Sequence, residues 1–283
     1  MDGYDNLVQT LSRFEQSLGG EHPLTSVQSL AQVSGYSPHH FSRLFASHTN
    51  LKLKEYLQAR QLTALILQAL TDESTYADLL PLYGFEDYET FYRCCKRKFG
   101  KSPSMVRKQG LQRSELQERI HPARKEEAQQ LLGEEVQLDG FMLCGLSFFL
   151  GPETRSFHTI WQQFAKHQHL ILPHPADKAS YQYSAWLEEA SDGMSVLCAV
   201  PVEKESEQNP LFSLRSIPPC RYVRFIHDQD VTSIPKTYQY IYGTYFAHSE
   251  MQPLGNWEFQ RYPEGEQLIE IYIPLRTQTP LPS

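Results

Sequence analysis

The sequence predicts two domains: an all-α N-terminal domain made of two helix-turn-helix units, and an α+β domain made of two strand-helix-strand-strand repeats. Three observations support this prediction. Apolar residues recur at helical spacing over the first 110 residues, and two glycines about fifty residues apart each separate two short helical patterns. From about residue 136 the apolar spacing becomes that of strands, and strand and helix patterns then return in the same order.

The first helix-turn-helix unit is predicted at residues 24–45. A helix capped by Thr25 ends at Gly35, and a second helix begins after Ser37. The second helix buries an apolar stripe at i, i+3 and i+4, so its other side is expected to be an open polar face. A helix of this kind fits the major groove of DNA. The polar side chains on that face are His39, His40, Ser42 and Arg43.

The second unit is predicted at residues 74–103, where Gly84 takes the place of Gly35. Pro81 lies inside its first helix and is expected to kink or shorten that helix. The second helix opens with three acids, which favour a helix N-terminus but repel phosphates. We therefore expect this unit to contact the DNA backbone at most. The basic side chains available for such contacts are Arg93, Lys96, Arg97 and Lys98.

Residues 55–70 are apolar almost all round, which predicts a helix buried between the two units. Residues 4–18 predict an amphipathic packing helix. The charged stretch after Gly110 reads as a linker, so the predicted divisions are a helical domain at 1–110, a linker at 111–130, an α+β domain at 131–276 and a tail at 277–283.

The N-terminal motifs resemble the DNA-binding domain of the AraC family of transcription regulators, over roughly residues 4–109. They are Gly35-Tyr36, Tyr56-Leu57-x-x-Arg60-x-Leu62, Gly84-Phe85, Phe91-x-Arg93 and Lys98-Phe99-Gly100-x-Ser102-Pro103. The resemblance implies double-stranded promoter or operator DNA as a partner, with RNA polymerase as a further candidate. The net charge of this domain favours DNA binding less strongly, because residues 1–110 carry twelve Lys and Arg against eleven Asp and Glu and so have few excess positive charges for phosphates.

The second domain is predicted from alternating strand and helix patterns. Residues 141–150 predict one bent strand or a strand pair, residues 154–169 a helix, and residues 181–187 and 194–200 two strands. The order then returns with strand-like residues 211–227, a helix at 233–248, and strands at 257–262 and 267–275. Two such repeats can join their sheets around a central concavity, which suits a small-molecule site.

The last strand predicts which residues line that concavity. Alternation puts Ile269, Ile271 and Ile273 on a core face, so Glu270 and Tyr272 project from the opposite face. An acid among aromatic rings attracts organic cations. A solvent-facing sheet with exposed Glu and Tyr is the alternative. The ligand-binding candidates, in order, are Glu270, Tyr272, Trp186, Glu258, Gln260, Tyr183 and Tyr242.

The repeat and two C-terminal runs resemble the gyrase-inhibitor-like (GyrI-like) effector-binding domain, over roughly residues 131–276. The runs are Gln260-Arg261-Tyr262-Pro263 and Ile269-Glu270-Ile271-Tyr272-Ile273-Pro274. Multidrug-sensing members of that family place two acids in the ligand pocket. This chain keeps one as Glu270, has Gln260 at the other position, and carries an acid two residues earlier at Glu258.

These patterns predict a cytoplasmic DNA-binding regulator that senses a small organic molecule. The sequence lacks an apolar run of roughly eighteen residues and the motifs of metalloproteases, serine hydrolases and nucleotide-binding enzymes. We therefore expect no membrane association, no enzymatic activity, no cofactor and no metal. Two alternatives stay open: a regulator that has lost direct DNA binding and acts through protein contacts, and a GyrI-like domain with residual hydrolase activity.

Overall fold

The computed structural model describes residues 2–71, 74–124, 131–151, 156–172, 178–187, 193–203, 208–228 and 230–276. The chain forms two compact units. The first comprises Met1–Glu126 and Tyr242–His248, and the second comprises Glu127–Ile241 and Ser249–Ser283. A helical N-terminal region followed by an antiparallel sheet with helices confirms the predicted fold class. The predicted tail at 277–283 lies outside the described residues.

Seven helices of the described residues build the first unit. They are α1 (Gly3–Ser17), α2 (Val27–Ser34), α3 (Pro38–Thr49), α4 (Leu53–Thr71), α5 (Tyr76–Leu79), α6 (Tyr88–Phe99) and α7 (Pro103–Gln109). Helices α2 and α3 form the first helix-turn-helix unit, with Gly35 left-handed at φ 76° between them. The N-cap of α2 is Ser26, so the prediction of Thr25 as the cap was wrong by one position. Ser26 and Ser29 form a capping box at this end of the helix.

The second helix-turn-helix unit differs from the first where the sequence predicts. Pro81 ends α5 after four residues, and a 3₁₀ turn at Pro81–Tyr83 leads into Gly84. Asp87 caps α6, and its carboxylate accepts hydrogen bonds from the Thr90 amide at 2.7 Å and the Thr90 hydroxyl at 2.9 Å. These bonds hold the pKa of Asp87 below its ordinary value. At Asp87, therefore, the acid stabilises the start of the helix.

Helix α4 separates two apolar cores, as predicted. Its Tyr56 and Leu57 pack with α1, α2 and α3. Leu65 and Ile66, further along the same helix, pack with α5 and α6. The residues after α7 follow the surface of these helices, and the backbone amide of Ile120 donates to the Tyr56 hydroxyl at 3.2 Å.

The two turn glycines offer a matched pair of variants. Both have φ near +76°, but a Cβ on Gly35 meets nothing within 4 Å, whereas a Cβ on Gly84 would lie 2.2 Å from Thr25 Cγ2. We expect Gly35→Ala to lower the free energy of unfolding by about 1 kcal/mol and Gly84→Ala by about 3 kcal/mol. Thermal unfolding of the two variants measures the difference. Equal losses would contradict the close approach at Gly84.

The second unit contains one antiparallel sheet with strand order β1-β6-β8-β7-β3-β4-β2-β5. The strands are β1 (Glu134–Leu138), β2 (Phe141–Leu150), β3 (Ser180–Trp186), β4 (Met194–Val202), β5 (Ser213–Ile217), β6 (Cys220–Asp228), β7 (Trp257–Tyr262) and β8 (Leu268–Pro274). Among the described residues, the helices α8 (Phe157–His167) and α9 (Ile234–Tyr240) accompany it. Pro218 and Pro219 separate β5 from β6, since proline cannot continue the strand ladder.

The helix predicted at 233–248 ends early. Helix α9 stops at Tyr240, and a π turn follows at Ile241–Tyr245. Residues 242–248 belong to the first compact unit. Gly243 in this turn weakens an α-helix and permits close packing. Among the described residues, no helix has the length and hydrophobicity that a membrane crossing requires.

The two faces of the sheet differ in chemistry. One face, here called the aromatic face, carries Tyr183, Trp257, Phe259 and Tyr272 in one apolar core. The other, here called the helix face, packs its apolar residues Val196 and Cys198 against Ile160 and Phe164 of α8. Residues that oppose each other directly on antiparallel strands share a face, so the strand registers assign every side chain to one side.

Candidate nucleic-acid interface and effector site

His40 of α3 is buried, with 1% of its surface exposed. Its ring lies 4.4 Å from that of Tyr36, 5.9 Å from that of Tyr242 and 5.7 Å from that of Phe246, measured between centroids. The prediction that His40 faces solvent on an open helix surface was wrong. The reason is that residues 242–248, nearly two hundred positions later, pack on this side of α3.

The other predicted DNA-contacting residues of α3 are half-buried. The Arg43 Nε lies 3.4 Å from His39 Nε2 and can donate to it, and the Arg43 guanidinium carbon lies 5.6 Å from the centroid of the Tyr242 ring. His39 meets the same ring edge-on at 5.7 Å. Burial, followed by the positive charge of Arg43, lowers the pKa of His39 well below its ordinary value. His39 is therefore neutral at pH 7 in this arrangement.

Helix α6 presents an open basic surface. Arg93, Lys96, Arg97 and Lys98 are all exposed, as predicted. Arg93 lies 4.0 Å from Glu89 one turn earlier, and the Arg97 guanidinium donates to the Gln58 side chain. Lysines and arginines in the last turn of a helix also complement its dipole. The basic end of α6 can therefore reach a phosphate backbone without rearrangement of the helix.

Glu270 and Tyr272 lie on the aromatic face, opposite the isoleucines of β8, as predicted. The Glu270 carboxylate accepts from Arg224 Nη1 at 3.2 Å, from Arg261 Nη1 at 3.0 Å and from the Tyr272 hydroxyl at 3.0 Å. Burial, then the charge of Glu270, raises the pKa of Tyr272. Because two guanidinium groups already neutralise Glu270, this carboxylate is a poor counter-charge for an organic cation.

Glu258 and Gln260 do not share a site with Glu270. In the register of β7 and β8, Phe259 opposes Tyr272 and Gln260 opposes Ile271. Gln260 and Glu258 therefore lie on the helix face, and grouping them with Glu270 in one pocket was wrong. The alternation of side chains along each strand was predicted correctly. The pairing between neighbouring strands, however, decides which of their residues lie on the same face of the sheet.

The helix face contains a buried polar cluster, defined as Gln182, Ser184, Glu258 and Gln260. These residues are between 2% and 6% exposed, and Ser184 directly opposes Glu258 across β3 and β7. Gln182 Nε2 donates to the Ser184 hydroxyl at 3.3 Å. The cluster is notable because most neighbouring side chains on this face are apolar, and burying polar groups costs free energy unless they are paired.

Three aromatic side chains lie around the cluster. Trp161 Nε1 of α8 donates to Gln182 Oε1 at 3.1 Å, and Gln260 Nε2 donates to the Tyr238 hydroxyl of α9 at 2.8 Å. The Tyr262 hydroxyl donates to Gln260 Oε1, and its ring meets that of Trp161 edge-on at 5.1 Å. Burial raises the pKa of Tyr262. Both helices thus contribute a side chain to the cluster.

Sequence reasoning missed Gln182, Ser184 and Trp161 as site residues. The sequence of β3 indicated the first two, because Gln182 and Ser184 alternate with Tyr181 and Tyr183 and must share one face. Only the aromatic residues of this strand were selected as ligand-binding candidates. The other predicted ligand-binding residues lie in three different parts of the structure. Tyr183 stacks on Trp257 at 5.6 Å on the aromatic face, Trp186 lies against the core of the helix face, and Tyr242 belongs to the first unit.

The chemistry of the two C-terminal sites follows from these contacts. The aromatic face carries a paired carboxylate among stacked rings, including Phe259 on Tyr272 at 4.7 Å. The helix face combines amides, a hydroxyl and the carboxylate of Glu258 with indole and phenol rings. Such a mixture of a few placed polar groups with aromatic walls is typical of small-molecule sites.

Comparisons with known proteins agree with both halves. The family model described as a helix-turn-helix domain matches residues 30–109, and the model described as integron-associated effector binding protein matches residues 136–275. The regulatory protein SoxS of Salmonella typhimurium is 31% identical over 105 residues, which are 37% of this chain and 95% of SoxS. The multiple antibiotic resistance protein MarA of Escherichia coli is 30% identical over 92 residues, which are 32% of this chain and 72% of MarA.

Among solved structures, the integron cassette protein VCH_CASS2 of Vibrio cholerae is similar over 52% of this chain and 97% of its own, with 16% identity and a TM-score of 0.40. The C-terminal domain of EcmrR is similar over 53% of this chain and 99% of its own, with 13% identity and a TM-score of 0.43. The two family models confirm the assignments predicted from the sequence motifs. The chain belongs to the AraC-type helix-turn-helix transcription regulators, and its C-terminal domain is of the GyrI-like effector-binding type.

Proposed function

We propose that this AraC-type regulator binds duplex DNA through α3 and the basic end of α6, and binds an aromatic organic cation at the buried polar cluster. The observation that carries the ligand half is the cluster itself. Four polar side chains occupy the inner side of a sheet where the fold alone requires apolar ones. Local features that oppose the demands of the fold commonly mark functional sites.

Glu258 supports a positively charged ligand because it is buried on a face that also carries aromatic side chains. Glu270 has two arginine partners on the aromatic face. Glu258 is 2% exposed and shares its face with Ser184, Gln260 and Tyr262. A carboxylate combined with indole and phenol rings provides both a counter-charge and cation–π surfaces. The predicted preference for cations is therefore retained, with Glu258 in place of Glu270.

The ligand half is tested by calorimetric titration of the full chain with tetraphenylphosphonium. Its neutral control is triphenylphosphine oxide, which has similar rings without a net charge. We expect the cation to bind more tightly than the neutral compound. We expect Glu258→Gln to weaken cation binding by about tenfold, because a buried charge pair is lost, and to remove the preference for the cation.

Glu270→Gln is the matched variant on the other face of the sheet, and we expect it to change cation affinity by less than about threefold. If Glu270→Gln weakens binding of the cation and Glu258→Gln leaves it unchanged, the ligand site lies on the aromatic face and the proposed site is wrong. Absence of binding to both compounds would contradict an aromatic cation as the ligand. Recovery of chemically unaltered compound after incubation would separate binding from hydrolysis.

A second candidate function is regulation through protein contacts without direct DNA binding. The observation that favours it is the cover on α3, which buries His40 and half-buries Arg43. The two candidates differ in how affinity for DNA depends on salt, since phosphate contacts release counterions. The exposed basic end of α6 favours direct DNA binding.

A further inference from the structure

Residues Tyr242–His248, here called the covering segment, pack tightly against two helices of the first unit. The Gly3 amide donates to the Ala247 carbonyl at 2.5 Å, so the start of α1 meets the segment backbone to backbone. At its other end, a Cβ on Gly243 would lie 2.8 Å from Ser47 Cβ and 2.6 Å from Ser47 Oγ. The segment therefore contacts α3 at a position where only glycine fits.

The covering segment occupies side chains that the proposed function assigns to DNA. Tyr242 contacts the rings of His39 and His40 and lies under the guanidinium of Arg43. Phe246 adds a second ring against His40. A duplex bound along this side of α3 would need the same atoms. The Tyr242 ring therefore fills space beside Arg43 that a duplex bound along this side of α3 would enter.

The covering segment also continues directly from the ligand-binding half of the chain. Helix α9 carries Tyr238, whose hydroxyl is bonded to Gln260 in the buried polar cluster, and Tyr242 follows one turn later. A π turn at Ile241–Tyr245 joins the two, and such turns are frequent at functional sites. A ligand that takes over the bond from Gln260 to Tyr238 would thus act on the residues that lead into the segment.

We propose that the covering segment is an intrachain inhibitor that competes with duplex DNA for α3. This inference rests on the proposed function, because it takes α3 to be a DNA-binding helix. In the covered form only the fraction of molecules with the segment displaced binds through α3. The apparent affinity is reduced by that fraction.

The test uses full-length protein and a fluorescein-labelled duplex enriched from a random-sequence library by wild type and by Gly243→Ala. The added methyl group of Gly243→Ala would lie 2.8 Å from Ser47 Cβ, so the segment must shift to relieve the clash, and we expect its packing on α3 to weaken. We expect Gly243→Ala to bind the duplex about tenfold more tightly than wild type. Thr244→Ala, in the same turn, is the control and is expected to bind as wild type.

A second variant tethers the covering segment to α3 by a disulfide bond. Ser47→Cys combined with Gly243→Cys brings two thiols together whose Cβ atoms need to separate by only about 1 Å to form a disulfide. We expect the oxidised protein to bind the duplex at least tenfold more weakly than its reduced form, and the reductant to have no effect on either single-cysteine variant.

The outcomes separate the inference from the function on which it rests. Equal affinity of wild type, Gly243→Ala and the oxidised double variant would overturn the inhibitory role while leaving DNA binding intact. Absence of duplex binding by every form, reduced and oxidised, would overturn both. Tighter binding by Gly243→Ala together with reversible loss on oxidation supports both.

Discussion

Replacing Arg93, Lys96 and Lys98 together by glutamate is expected to weaken binding of the full chain to duplex DNA by more than about hundredfold. All three side chains are exposed at the basic end of α6. Each that lies on a phosphate contributes to affinity through counterion release, and a glutamate in its place adds repulsion. Fluorescence anisotropy with a labelled duplex at one fixed salt concentration measures the change.

The matched control reverses the same amount of charge in the second unit. Lys166, Lys178 and Lys236 are exposed there, so their joint replacement by glutamate changes the net charge of the chain equally. We expect this control to weaken binding by less than about threefold, since it acts only through the overall field of the protein. If both triple variants lose the same affinity, α6 does not contact DNA directly.

Phe91→Ala is expected to lower the free energy of unfolding of the first unit by about 3–5 kcal/mol, the range for large buried side chains that leave a cavity. Phe91 is fully buried in the second helix-turn-helix unit. Its ring lies 5.0 Å from that of Tyr76, 5.6 Å from that of Phe85 and 5.8 Å from that of Tyr88. Calorimetry resolves the transition of this unit.

Phe149→Ala provides the control for Phe91→Ala. The Phe149 side chain is 58% exposed, so the same substitution removes little buried surface. We expect it to cost about 1 kcal/mol or less. A loss at Phe91 no larger than at Phe149 would mean that the second unit lacks the packed core described above.

The helix-turn-helix units were predictable because their signals are local. Gly35 and Gly84 both adopt the left-handed conformation that ends a helix, and Ser37 followed by Pro38 begins α3 as expected. Pro81 shortened α5 because its ring and missing N–H act on the helix that contains it. The wrong choice of Thr25 over Ser26 arose between two adjacent hydroxyl residues, either of which can cap a helix.

The sites were harder to predict because they depend on contacts between distant residues. Alternation placed Glu270 and Tyr272 correctly relative to Ile271, but it could not tell whether Gln260 or Phe259 shares their face. A shift of one residue in the pairing of β7 and β8 exchanges the two. Likewise, nothing near His40 in the sequence indicates that Tyr242 and Phe246 return to bury it.

The dependence of duplex affinity on salt tests the central claim most directly. The full-length Gly243→Ala variant, in which we expect α3 to be more accessible, is titrated with the duplex that it enriched, over a range of salt concentrations. A regulator that neutralises at least three phosphates is predicted to lose affinity with a logarithmic slope of about −3 or steeper. Binding that does not change with salt, or no binding at all, would contradict direct DNA recognition by this chain.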